Sequence, residues 1–241
     1  MDVLFFLKER TKFIRQFYTT TSTPYIERIE KIYAGEEPFV PSYNEDDEGE
    51  FYADLAEAND SLCVIGYSCV SMLSTALKLY FQSWEKEAIG IVGEDKKRTK
   101  IDQKYKDYWR ERNESFKKGA LHGYRWVFSY HLNIDFDASP ACLVKLEDIF
   151  LSRNKIEHPP SITNLKTYYG DSDLDKLQNN PFFIDEGEID PFVETDEEKK
   201  FWYKWFNLHV SEEKLFMAIS EVECFSEWLD NEIKTVKGWA E

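Results

Sequence analysis

The stretch 62-LCVIGYSCVSMLSTALKLYF-81 decides the fold. It is apolar on most sides, and the segment around it, from about Phe51 to Ala88, is long, Leu- and Ala-bearing and free of proline. A helix lying at the surface would show a cleaner polar stripe. The pattern therefore predicts a central buried helix, and the rest of the chain must supply the helices that cover it.

Apolar positions at about 3.6-residue spacing predict a helix over 3–18, and 24-PYIERIEKIYAG-35 reads as a second, short helix with proline near its start and glycine after its end. Proline, acid and glycine mark 36-EEPFVPSYNEDDEGE-50 as a surface loop. After the central helix, 90-GIVGEDKKRTK-100 connects to a long helical segment from about Asp102 to Asn133. Asp137-Ala138-Ser139-Pro140 then offers a cap and an N-terminal proline to a helix that ends in 151-LSRNKIEHPP-160. Beyond it the chain is irregular for roughly forty residues, with turn signals at Tyr169-Gly170-Asp171 and Asn179-Asn180-Pro181, before two helices near 195–208 and 211–239. There is no run of alternating strands and no internal repeat. The expected fold class is all-α, an antiparallel helical bundle in one domain over 1–241. Residues 1–50 form an N-terminal extension of it and 159–195 a loop-rich insertion.

Apolar residues at 42% and aromatics at 16% offset the ordering entropy despite 32% charge, so a folded globule is expected. No apolar run approaches the roughly 20 residues that a bilayer requires, and the segment Met1 to Lys8 is too short and too soon charged for a signal peptide. A cytoplasmic protein with no membrane partner is the expectation. Cys63, Cys69, Cys142 and Cys224 stand apart in hydrophobic contexts, without a C-x-x-C pair or a nearby histidine cluster. They read as buried thiols, and neither a metal nor a cofactor is expected. No P-loop, dinucleotide-binding or G-x-S-x-G pattern occurs. A net charge of -16 argues against indiscriminate nucleic-acid binding. The charge is uneven, however: acid concentrates in 44–50 and 185–198, whereas 96–118 carries ten Lys or Arg against four Asp or Glu.

Placed on a helix at about 100° per residue, Cys142, Leu146, Ile149, Phe150 and Ile156 share one sector, the expected core face, and Arg153 falls inside it. An arginine there needs a partner, and a carboxylate on a neighbouring helix is the expected one. Asn154 and His158, four residues apart, align on the flank with Glu147 and Leu151. Pro159 ends the helix at His158. Helix-terminal carbonyls favour the imidazolium and Arg153 opposes it, a balance suited to an acid–base group.

Arg153-Asn154-Lys155-Ile156-Glu157-His158, with the apolar run Leu146 to Leu151 before it and proline straight after, resembles the R-N-x-x-x-H signature of the HEPN superfamily. Those are α-helical domains, many of them metal-independent ribonucleases in toxin–antitoxin, abortive-infection and CRISPR systems. The likeness covers the motif helix closely and the surrounding helices only by type. It implies an endoribonuclease, a toxin or antiviral-defence effector, in which His158 acts on the 2′-hydroxyl or the leaving 5′-oxygen, Arg153 holds the scissile phosphate, and Asn154 orients the phosphate or the histidine. It also implies a homodimer with two motifs facing a shared cleft, and a possible antitoxin or regulatory partner. Family relatives include inactive domains, so a catalytically silent scaffold that binds a protein is the alternative.

Lys155, and Lys104, Arg110 and Arg112 in the basic segment, are candidate RNA contacts. Interleaved with Tyr105, Tyr108, Trp109 and Phe116, the basic residues could follow phosphates while the rings stack on bases. The competing reading is an amphipathic helix with its rings toward the core. His122 and His131 read as packing residues, His209 as an inter-helix residue, and 201-FWYKWF-206 as core or dimer interface.

Overall fold

The computed structural model of the chain describes residues 2–41, 51–90, 103–159, 167–185 and 195–239, the side chains of 103, 104 and 196 excepted. Among the described residues there are eight α-helices and no strand: α1 (Val3–Ala34), α2 (Tyr52–Trp84), α3 (Gln103–Lys118), α4 (Ala120–Leu132), α5 (Leu143–Glu157), α6 (Asp171–Lys176), α7 (Asp196–Tyr203) and α8 (Glu212–Lys237). The all-α expectation holds. Part of the 36–50 loop, most of the 90–100 connector and most of the 185–198 acidic run lie outside the described residues.

α2 is the hub, packed against α1, α5 and α8. Cys69, Val70, Leu73, Leu77 and Phe81 on it have no exposed surface. By length and composition alone, Tyr52–Ile89 is apolar enough to cross a bilayer, contrary to the sequence expectation. One face of it is buried against α1, α5 and α8 while Val64 and Leu79 are exposed, and the Tyr80 hydroxyl near its end donates to the Ser226 carbonyl of α8 at 2.7 Å. One turn of π-helix, Glu85–Ile89, extends it.

Three expectations change. The two helices expected over 3–18 and 24–35 are one, running through Pro24. A proline inside a helix costs about 3 kcal/mol, because it lacks the N–H that would reach the Thr20 carbonyl. Tertiary contacts hold both halves. Val3, Leu7, Ile14 and Tyr18 are buried, Thr11 donates to Glu223 of α8 at 2.6 Å, and beyond the proline Arg28 pairs with Asp54 and Glu57 of α2.

The long helix expected from Asp102 to Asn133 breaks at Gly119 (φ +154°) into the antiparallel hairpin α3–α4. At Gly123 an added Cβ would stand 2.4 Å from the Phe116 ring, so the two helices meet at glycine. Trp109 is buried in the hairpin, and Tyr108 contacts Trp126 and the exposed Tyr130 and His131.

The cap expected at 137–140 forms a 3₁₀ turn instead, and α5 starts at Leu143. Its N-terminus is capped from another helix, because Glu221 of α8 accepts the Cys142 N–H at 2.9 Å and the Lys145 ammonium at 3.0 Å.

The described part of the loop-rich insertion is core rather than surface. Tyr169, Leu174, Leu177, Phe183 and Ile184 have no exposed surface. They are fastened to α5 by Asp148, itself fully buried. One carboxylate oxygen accepts from the Ser152 and Tyr169 hydroxyls at 3.0 and 2.6 Å; the other accepts from the Phe182 and Phe183 N–H groups at 2.6 and 3.4 Å. Burial raises the Asp148 pKa and these hydrogen bonds pull against it. Asp148→Asn would turn an amide NH₂ toward hydroxyl or backbone donors, and should cost about 3 kcal/mol in urea denaturation. A loss below about 1 kcal/mol would mean that the carboxylate is not what fastens this segment.

Candidate functional site

α5 delivers Arg153, Asn154 and Glu157 on its last turns and His158 as its C-cap. Asn154 and His158 are both exposed, and the His158 N–H donates to the Asn154 carbonyl at 3.0 Å, which closes the helix before Pro159. Leu146, Ile149 and Phe150 face the core as expected, and Ile156 packs partly against it. Cys142 does not, being the exposed residue before the first turn. Only Cys69 among the four cysteines is buried. Leu151 and Ser152 are buried along with Asp148, where Tyr169, Phe182 and Phe183 meet Asp148.

Arg153 is half-buried. Its carboxylate partner is not on a neighbouring helix, as expected, but is Glu157 one turn further along α5. Its guanidinium also donates to the Asn154 side-chain oxygen at 3.3 Å.

Arg153 and Asn154 line a cleft of about 540 Å³ bounded by α2, α5, α6 and the α3–α4 turn. Lys78 of α2, Lys117 of α3 and Lys176 of α6 line it too, and Glu147 is the one carboxyl in the lining. Among the described residues no carboxylate forms an ion pair with Lys78 or Lys176, whereas Lys117 pairs with the exposed Glu114 at 2.6 Å. Ser74, Thr75 and Gln82 add uncharged polar groups, and Phe116 and Tyr124 add rings. Gly119 forms part of the wall, and its φ of +154° favours glycine there; a Cβ would stand 2.7 Å from the Glu147 Oε1 and push that side chain aside.

Burial raises the Glu147 pKa; Lys176 opposes the shift and Asp148 adds to it. Two turns separate Glu147 from Asn154 on one stripe of α5, as the sequence geometry indicated. Lys78, Lys117 and Lys176 have no such signal, since only the tertiary fold brings α2, α3 and α6 around one space.

The remaining candidates lie elsewhere. Lys155 pairs with Asp173 at 2.6 Å, and Asp173 in turn accepts the Gly170 N–H at 2.9 Å at the start of α6. Arg112 pairs with buried Glu85 at 2.7 Å and lies over the Trp109 and Phe116 rings. Arg110 is exposed and pairs with Asp107 at 3.0 Å. None of these three lines the cleft. The Lys104 side chain lies outside the described residues. Burial, with Lys118 and Arg125 nearby, lowers the pKa of His122; burial, with Lys237, lowers that of His131. His209 lies between α7 and α8, where its N–H donates to the Phe183 carbonyl at 2.8 Å.

No family model, no curated protein and no solved structure matches the chain.

For Glu147 the sign of the pH dependence follows from its raised pKa. The fold disfavours the carboxylate, so stability falls as pH rises from the ordinary carboxylate value of about 4.3 through the folded-state value. Glu147→Gln lacks this loss. The variant should gain stability relative to the parent between pH 4 and pH 7 in urea unfolding; an equal difference at both pH values would contradict burial as the cause.

Proposed function

We propose that the chain is a metal-independent endoribonuclease of HEPN type, acting as a toxin or antiviral-defence effector. One observation carries the reading: Arg153 and Asn154, hydrogen-bonded to each other, line a cleft with four cations and one carboxyl in a chain of net charge -16, and His158 stands one turn beyond Asn154. In this reading the 2′-oxygen attacks phosphorus, the 5′-oxygen leaves, and a 2′,3′-cyclic phosphate remains. His158 takes the 2′-hydroxyl proton or gives one to the 5′-oxygen, while Arg153 and Asn154 hold the phosphoryl oxygens as charge develops on them.

A single histidine leaves one of the two proton transfers unserved, which favours a second copy of the chain across the site. The surface beside the motif suits such a copy. Phe6, Phe13 and Leu79 are exposed along the α1–α2 groove, and the same groove holds Arg10 and Glu157, an opposite-charge pair that a two-fold axis would present to its own image. Phe13→Asp, which alters an exposed ring, should convert a dimer into a folded monomer by sedimentation and circular dichroism. A wild-type protein that sediments as a monomer would remove the dimer from the proposal.

A binding role without catalysis is the second reading, favoured by the engagement of Arg153 with Glu157 and by the exposed Phe201 and Trp205 on and just after α7. Incubation of the purified protein with total RNA in EDTA decides between them. Cleavage should persist and fall by about 100-fold or more in His158→Ala. Wild type that cuts no RNA would leave the binding role.

A further inference from the structure

Lys78, Lys117 and Lys176 come from helices far apart in sequence, yet they face one cleft together with Arg153. Like charges brought to one space repel each other, and a chain with 46 acidic residues had many with which to neutralise them. Only Glu147 stands in the lining, and its carboxyl is itself disfavoured as an anion there. Lys117 and Arg153 have carboxylate partners in Glu114 and Glu157, which leaves Lys78 and Lys176 as the lining cations with no ion pair among the described residues. The volume, about 540 Å³, falls within the range of small-ligand sites, about 300–1,000 Å³. The Gln82 and Asn154 amides, which both donate and accept, supply the neutral hydrogen bonds that a sugar and base require.

We propose that the lysine-lined part of this cleft seats a phosphorylated nucleoside unit, with Lys78, Lys117 and Lys176 taking its phosphate charge. The unit is either the link of an RNA strand next to the one held by Arg153, or a free nucleotide. This site rests on the nuclease reading for its choice of ligand, but its binding groups are separate from His158, which does not line the cleft.

The test uses the full chain and two probes, a fluorescent 2′-O-methylated RNA hexamer, which has no 2′-hydroxyl to react, and adenosine 5′-monophosphate. Lys78 and Lys176 are both exposed, so Lys78→Gln/Lys176→Gln should leave the fold intact by circular dichroism. The hexamer should bind wild type and His158→Ala equally and the double variant about tenfold more weakly. Because the double variant has two fewer cations to neutralise phosphate, the dependence of log affinity on log salt should become shallower by about 1.4. Displacement of the hexamer by the mononucleotide supports a free-nucleotide source; binding of the hexamer without displacement supports a strand. Equal affinity and salt slope in the wild type and the double variant, or no binding of either probe by wild type, would overturn the site. Lysine-dependent binding by a protein that cuts no RNA keeps the site and removes the nuclease. Cleavage that His158→Ala abolishes, with binding indifferent to the two lysines, does the reverse.

Discussion

Asp148 fixes the helix that carries Arg153 and Asn154 to the rest of the chain. Its carboxylate has no exposed surface, and donors from α5 itself, from Tyr169 and from the backbone at Phe182 and Phe183 surround it. Removing any donor leaves charge in a medium that cannot solvate it, so the segment after α6 and the middle of α5 move only together. A helix advances about 100° per residue. With its rotation set at position 148, Glu147, Leu151, Arg153 and Asn154 line the cleft and Asp148 and Ser152 do not. Glu221 of α8 holds the start of the helix, and its partner Lys145 lies over the ring of Phe182, next to the Asp148 site.

The charge distribution follows the same logic of enclosure. Buried and half-buried cations outside the cleft are answered individually: Arg112 by Glu85, Lys145 by Glu221, Lys155 by Asp173. Lys78 and Lys176 are not answered in this way among the described residues. In a strongly acidic chain the positive potential at the cleft is therefore local, set by what the walls exclude as much as by what they contain.

Helix type was legible in the sequence wherever one face is apolar, and the central position of 62–81 follows from an apolar surface too broad for a surface helix. Pro24 and Gly119 misled in opposite directions. A proline suggests an end, yet α1 passes through it because both halves have packing partners; a glycine inside a periodic run suggests continuity, yet at 119 the backbone takes a conformation that reverses the chain. The motif's own geometry was legible for Asn154, His158 and Glu147, since it depends only on helical spacing. The partner of Arg153 was not, because a nearby Glu157 and a distant carboxylate satisfy a guanidinium equally well until the neighbouring helices are placed. The burial of Asp148 and the convergence of three lysines are tertiary facts, which no local pattern contains.

The pair between Arg153 and Glu157 gives the site an internal competitor. Both groups sit on one rigid helix, so Glu157 is present at the guanidinium at a fixed, high effective concentration. A solvent-accessible pair of this kind, half-buried at Arg153, holds by about 1 kcal/mol or less, so it yields readily. An anion that takes up Arg153 therefore displaces Glu157 first, at a cost of no more than about fivefold in affinity.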